Sequence, residues 1–334
     1  MKIGIHNRPG SFSDRWIVYC QENNIQYKIV NCYDTDIVFQ LEDCDALMWH
    51  HHHANYKDVL FAKQLMVSIE QSGKKTFPDF KTSWHFDDKV GQKYLFESIG
   101  APFVPSYVFY AKQEAMEWIK QTTFPKVFKL RGGAGAANVK LVTSAGQARN
   151  LVRKAFGKGF SQFDRTGYFK DRINKYRNGK IGILEAIKAF GRLFFLTEFA
   201  RFHSPEKGYI YFQDYIPDNL FDIRVIVIAE KAFAIKRMVR TGDFRASGSG
   251  NILYGKENFS TKTIELAFKL TDKLQSQCAA FDFVYDEAGN PKVIELSFGF
   301  ISAAYDSCAG YWDKSLQFHE GKFIPQNWMV ETIM

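Results

Sequence analysis

Apolar residues recur along this chain with two periods, and the alternation between them outlines a fold. Lys2–Ile5 reads as a strand, Arg15–Glu22 has helical spacing, and Ile29–Cys32 and Ala46–Trp49 read as two more strands. In Lys57–Gln71 the apolar positions Val59, Leu60, Leu65, Met66 and Ile69 recur as on one side of a helix. Strands alternating with helices predict a small, partly parallel, Rossmann-like α/β domain over residues 1–85, with ligands beyond the carboxyl ends of its strands. Two segments fall there, Asn7–Ser11 and the run His50–His53. Adjacent side chains in an extended segment point in opposite directions, so the histidine run reads as a polar loop rather than a metal cage.

After a connector at Pro78–Trp84, a helix is expected from Asp87 or Asp88 to Ile99, with Asp87 as N-cap and Gly100-Ala101-Pro102 as its stop. Val104–Tyr110 reads as a strand and Lys112–Gln121 as a helix. Val127–Leu130 and Val139–Val142 read as strands around a glycine-rich loop. Residues 145–208, with helical patches at Ala148–Phe156 and Gly182–Phe190, read as an insertion. From Tyr209 the strand period returns, broken by one helix at Thr261–Gln277. The expected division is 1–85, 86–208 and 209–334.

Composition adds exclusions. The 334 residues are 46% apolar and 24% charged, the mix of a globular protein with a sizeable core. No run of 18 apolar residues suggests a transmembrane helix, and Met1–His6 reads as a strand rather than a signal segment. Five scattered cysteines without CxxC spacing argue against a disulfide framework or a cysteine zinc site; a reducing cytoplasm is the expected setting. The net charge of +8 is local: Arg153–Arg192 holds eleven Lys/Arg against three Asp/Glu, which accounts for all of it. Such a surplus suits an anionic partner, whether nucleotide, phosphorylated sugar, nucleic acid or acidic lipid.

Three segments carry candidate chemistry. In Phe124–Val139 the glycines Gly132, Gly133 and Gly135 follow Lys129 at a strand end. The loop is neither a Walker A motif nor a dinucleotide fingerprint, because a strand follows where either motif needs a helix. Small residues there would let backbone N–H groups approach phosphate oxygens, with Lys129 adding a charge. Next, Ala279–Tyr285 and Lys292–Leu296 flank the turn Asp286–Pro291. A symmetric hairpin pairs Tyr285 with Lys292 and therefore Asp282 with Glu295. Two opposed carboxylates repel unless a cation or proton lies between them, and magnesium takes such oxygen ligands together with substrate phosphates. Ser297 shares the face of Glu295. Finally, Gln213-Asp214-Tyr215-Ile216 precedes a long strand with Asp222 and Arg224 on one face. Lys236, Arg237 and Arg245 follow.

In chain order these segments resemble the ATP-grasp superfamily, most closely the RimK-like and glutathione-synthetase-like ligases, from about Asp88 to Ser297. The resemblance implies two α+β subdomains gripping ATP, preceded by the small α/β domain. It implies phosphate contacts from Lys89 and Lys129 and an adenine hinge at Gln213–Ile216. Asp222 would hold ribose, Arg237 and Arg245 the transferring phosphate and the intermediate, and Asp282, Glu295 and Ser297 the Mg²⁺. Ser297 stands where the family usually has Asn, and the insertion is longer than usual. The implied activity joins a carboxylate to an amine through an acylphosphate, and the basic, aromatic-rich insertion suits an acidic glycan precursor or peptide. Alternatives are a kinase acting on a hydroxyl or amide, and a nucleotide-binding module without ligase activity. No nucleic-acid partner is expected, and a homodimer is compatible with the sequence.

Overall fold

The structure is a computed structural model that describes residues 1–132, 138–161, 169, 172–173, 176, 182–194, 204–239, 244–246, 248 and 250–334. Three sheets organise it. The first is four-stranded and parallel, in the order β2-β1-β3-β4 (Gln26–Val30, Lys2–His6, Ala46–Met48, Lys75–Phe77). Helices Phe12–Glu22 and Tyr56–Gln71 cross between its strands. The short helix Phe80–Ser83 corrects the reading of Pro78–Trp84 as mere connector, and strand β4 just before it had no predicted counterpart. At three or four residues each, they offer too little periodicity to detect.

The second sheet is antiparallel, β5-β8-β6-β7 (Ser106–Phe109, Ile210–Asp214, Lys126–Lys129, Lys140–Val142). Helices Lys112–Gln121 and Ala145–Ala155 cover it, burying Ala115, Ile119, Ala148 and Val152 against Phe128 and Phe212. The third has seven strands, β13-β12-β9-β10-β14-β15 (Pro291–Ser297, Cys278–Tyr285, Phe221–Ile228, Lys231–Met238, Gly310–Asp313, Phe318–Glu320), with β11 (Ile252–Leu253) on β10. Strands β12, β9 and β10 are central, and β13 forms one edge.

One face of this large sheet buries Val225, Val227, Ala234 and Phe281 against the helix Thr261–Leu274 and Phe96. That helix stops three residues short of expectation, because Gln275 adopts φ +52 and turns the chain. The other face packs on the parallel sheet, where Ile226, Ile228, Phe233, Ile235, Cys278 and Ala280 share a core with Ile3, Ile5, Phe12 and Trp16. The period of two then carries each strand past that core with polar residues on the same face: Arg224 and Asp222 in β9, Arg237 in β10 and Asp282 in β12. A buried apolar face thus becomes a charged one where the sheet leaves its covering layer.

Candidate active site

These charges open into a cavity of about 1060 Å³ bounded by all three sheets. Val127 lines it from the second sheet and Val104 from just before that sheet's β5, Val284, Ile294 and Leu296 from the third, and Arg8, His50, His52 and His53 from beyond the parallel strands. Gln213 and Asp214 at the end of β8, and Tyr215 and Ile216 in the connection from it to β9, also face it. Of the other expected site residues, Lys89, Lys129, Asp222, Arg237, Arg245, Asp282, Glu295 and Ser297 all border this one space. Gly133 and Gly135 lie outside the described residues.

Lys89 opens the helix Lys89–Ser98. Its N-cap is Asp88, whose carboxylate accepts from Gly91 N–H at 2.8 Å; Asp87, the expected cap, instead sits at φ +54. Only 5% exposed, Lys89 lies 3.3 Å from Glu295 Oε1 and 3.8 Å from Asp87. Burial pushes its pKa down, but Glu295 and Asp87 outweigh burial and hold it above the ordinary value. Lys129, at the end of β6, donates to Gln213 Oε1 at 2.7 Å. Burial lowers its pKa to about 8, only partly offset by Glu295. Gln213 is in turn fixed by Ser106 Oγ at 3.0 Å, and Asp214 by Lys126 at 2.6 Å.

The carboxylate pair forms, by a different route from the symmetric hairpin. Tyr285 pairs with Pro291 rather than Lys292, and Val284 pairs with Lys292. A bulge beside Phe283 then restores Asp282 opposite Glu295. The expected repulsion is relieved by protein cations. Arg224 lies opposite Asp282 across β9 and β12 and grips both its oxygens, Nε–Oδ1 at 2.5 Å and Nη2–Oδ2 at 2.7 Å. Arg237 lies opposite Asp222, holds both of its oxygens at 2.6 and 2.7 Å, and reaches Asp282 Oδ2 at 3.0 Å. The result is a lattice of alternating charge, Asp222–Arg237–Asp282–Arg224. Burial pushes Asp282 up, but the two guanidinium groups hold it well below the usual carboxylate range. For Glu295 burial likewise acts upward, and Lys89 foremost brings it below its ordinary value. Asp222 is the exception: burial outweighs Arg237 and raises it to about 6.

Asp282 and Glu295 present hard oxygen donors, the chemistry magnesium prefers, and phosphate oxygens would complete its shell. The Ser297 hydroxyl donates to Gly299 O at 2.9 Å and accepts from Gly299 N–H at 3.0 Å, which leaves it one lone pair. Among the described residues no group of three or more His, Cys, Asp or Glu side chains forms a metal cage.

Two features escaped the sequence reading. Glu206 accepts from the backbone N–H of Arg131 at 3.2 Å and of Gly132 at 3.4 Å, and from the Tyr209 hydroxyl. A carboxylate therefore sits on the first N–H groups of the glycine loop. The other is Arg8, whose guanidinium donates to His50 O at 3.2 Å and lies 3.7 Å from buried Asp58. Arg8 belongs to the first loop singled out above, but nothing in one sequence joins it to His50.

A lysine-bearing hinge sheet closing over a carboxylate-bearing sheet is the arrangement on which the comparisons bear. Residues 200–300 match the family model of the RimK-like ATP-grasp domain. The fold is ATP-grasp. Among solved structures, the RimK domain ATP-grasp protein of Sphaerobacter thermophilus aligns over 100% of this chain and 99% of its own, with TM-score 0.58 and 13% identity. D-alanine–D-alanine ligase of Bacillus anthracis, complexed with ATP, aligns over 92% of this chain and 91% of its own, with TM-score 0.55 and 12% identity. The biotin carboxylase domain of Hydrogenobacter thermophilus 2-oxoglutarate carboxylase, solved as a dimer with MgADP and bicarbonate, covers 98% of this chain and 68% of its own, with TM-score 0.58 and 15% identity. No protein among the curated sequences matches the chain. No described helix is long and apolar enough to cross a membrane.

Proposed function

We propose that this ATP-grasp chain is an ATP-dependent ligase that joins a carboxylate to an amine. The observation that carries the reading is the convergence of two buried lysines, a cross-strand carboxylate pair, buried Arg237 and half-buried Arg224 on one cavity spanned by the hinge. The apolar walls at Val104, Val127, Ile294 and Leu296 suit a purine between the sheets, beside Gln213–Ile216, with Asp222 nearest the ribose. Lys89 and Lys129 then face the phosphates. Asp282 and Glu295 would hold magnesium, which supplies charge neutralisation across the β- and γ-phosphate oxygens.

In this reading a substrate carboxylate oxygen attacks the γ-phosphorus and ADP leaves. An amine nitrogen then attacks the acyl carbon, the C–O bond to phosphate breaks, and the amine proton is lost. Positioning and fixed charge do this work, and no enzyme nucleophile is needed. Arg237 and Arg245 steady charge on the transferring group and on the tetrahedral intermediate. The Phe244–Ala246 segment is well placed for this, since Arg245 borders the cavity and Phe244 packs edge-on against hinge residue Tyr215. The substrates fitting a basic, aromatic-rich chain are an acidic glycan precursor or peptide, with the cytoplasm as the setting.

The test is ADP release from the purified protein across sugar acids and acidic peptides, each with and without amines. Release that needs both a carboxylate and an amine, with an amide product by mass spectrometry, supports the ligase. Release without any amine makes the protein a kinase, and nucleotide binding without turnover makes it a binding module.

A further inference from the structure

At about 1060 Å³ the cavity is at the top of the range, roughly 300–1,000 Å³, that one small ligand fills. Its end beyond β1 and β3 is bordered by Arg8, Ser11, His50 and His52. Arg15, Arg224 and Arg237 also border the cavity, and each grips both oxygens of a carboxylate, Asp306, Asp282 and Asp222 in turn. Arg8 is engaged differently. Its guanidinium donates to His50 O at 3.2 Å, and Asp58, at 3.7 Å, is beyond hydrogen-bond length. Asp58 accepts instead from the Tyr33 hydroxyl and from His52 N–H. The buried carboxylate therefore holds Arg8 in place without closing its fork, and the Arg8 side chain is 30% exposed.

The turn that carries Arg8 is fixed. Arg8 N–H donates to Ser13 Oγ at 3.0 Å, Arg8 O accepts from Ser11 N–H at 3.1 Å, and Gly10 N–H donates to Asp14 at 2.7 Å. The N–H groups of Phe12 and Ser13, at the start of the next helix, are taken by His50 Nδ1 and Ser11 Oγ, both at 3.2 Å. An anion arriving here meets the guanidinium rather than the helix end. The histidines beside it do not compete, because burial foremost, with Arg8 adding to it, keeps His52 and His53 uncharged at neutral pH. His53 also senses Lys89 and Glu295, so it is a shared neighbour of Arg8 and of the pair facing the phosphates. Its Nδ1 is buried without a partner among the described residues, and a polar group of a bound molecule would satisfy it. A reacting carboxylate beside the γ-phosphate, near Lys89 and Arg237, leaves Arg8 with no anion of its own. Resting on the ligase reading above, we propose that Arg8 binds a second anionic group of the acid substrate, which is therefore a dicarboxylate or a phosphorylated acid rather than a simple monocarboxylate.

The test is the thermal shift of the full chain with MgADP, titrated with matched probes: butyrate against glutarate, and glucuronate against glucuronate 1-phosphate. The wild type should take the dianion of at least one pair about tenfold more tightly than its monoanion. The pair that responds shows whether the second group is a carboxylate or a phosphate. Arg8→Gln should abolish the preference while leaving ATP affinity, by calorimetry, within about twofold of wild type. Should Arg8→Gln fail to fold because Asp58 loses its neighbouring charge, Arg8→Gln/Asp58→Asn restores the balance and carries the same expectation. No dianion preference in the wild type, or a preference that survives in the Arg8 variant, overturns the proposal. So does a loss of ATP affinity in that variant, which would put Arg8 on the nucleotide. The ligase reading is decided separately, by amide formation: a ligase whose KM for its acid ignores Arg8→Gln keeps that reading and sinks this one.

Discussion

The two walls of the cavity bury titratable groups to a similar degree and keep them by opposite means. On the wall beyond the parallel strands, His50 and His51 are buried and His52 and His53 half-buried. Burial lowers His51 to about 3 and His52 and His53 to about 4, and His50 falls well below its ordinary value. The histidines of this wall give up their charge, beside Arg8, which lies 3.7 Å from Asp58. His50 spends its ring on Phe12, stacking at 3.7 Å and accepting the Phe12 N–H at 3.2 Å. On the large-sheet wall, Asp222, Arg224, Arg237 and Asp282 remain in ion pairs at 2.5–3.0 Å. An imidazole sheds its proton near neutral pH at small cost, whereas a guanidinium does not, so a wall built on arginine must supply carboxylates. In the proposed ligase the histidine wall would meet the substrate, while the charged wall would receive the phosphate charge.

The largest effect should come from breaking the charged wall. Asp282→Asn leaves Arg224 and Arg237 short of a buried counter-charge and should cost about 3–5 kcal/mol of stability by urea denaturation. It should also abolish ADP release. Glu295→Gln deserves a different expectation from one based on carboxylate repulsion alone. Lys89 would lose its nearest anion, so the change should destabilise by about 1–3 kcal/mol rather than relieve strain. Replacing Arg224 and Asp282 together by Met and Leu should recover much of the Asp282→Asn loss without restoring turnover. If Asp282→Asn is as stable as wild type, the lattice is not holding the sheet ends together.

The neutral wall should break with acid. The folded values of His51, His52 and His53 lie below the ordinary 6.5, so the unfolded chain binds their protons first. Their stabilising effect is complete above pH 6.5 and is lost as pH falls toward 4, by up to about 1.4 kcal/mol per pH unit for each histidine. Urea midpoints between pH 7.5 and 4.5 measure this. His51→Phe should flatten the dependence, and an unchanged slope would show that the loop is already solvated.

Lys129 stands between the two strategies, buried and charged but with its pKa lowered to about 8. Lys129→Ala should weaken ATP binding by about 1.5–3 kcal/mol in calorimetry. In the wild type, ATP affinity should hold below pH 8 and decline above it, because the free protein then loses the proton that phosphate needs. A flat affinity between pH 7 and 9.5 would place this lysine away from the phosphates.

How much of this was readable beforehand follows from the range of the interactions. The Asp282–Glu295 pair lies within one hairpin, so turn length brought the two together on paper, although the bulge beside Phe283 left no trace in the residue pattern. Lys129 could be singled out from a local signal, a strand end before glycines, whereas Lys89 came only with the family resemblance. Arg224 against Asp282 could not be placed, since β9 and β12 are far apart in sequence and only the sheet order makes them neighbours. The fate of the histidines was equally hidden. It depends on Phe12, Phe86 and Phe298, which three different parts of the chain bring to that loop.

The smallest expected effect concerns Glu206, which neither wall accounts for. Its carboxylate lies on the N–H groups of Arg131 and Gly132, the groups that a phosphate would use, and its charge is felt at Lys89. For a nucleotide to take those N–H groups, Glu206 must swing away, and its hydrogen bond to Tyr209 must break or move with it. The carboxylate therefore competes with phosphate in both geometry and charge. Glu206→Gln keeps the shape and removes the charge, so ATP should bind more tightly, by about 0.5–1.5 kcal/mol or a few-fold in Kd. ADP, which has one phosphate fewer, should gain less if the loop receives the γ-phosphate. Calorimetry with both nucleotides reads the difference. Weaker ATP binding in Glu206→Gln would mean that the carboxylate holds the loop in its binding shape, making it a support of the charged wall rather than a rival for its ligand.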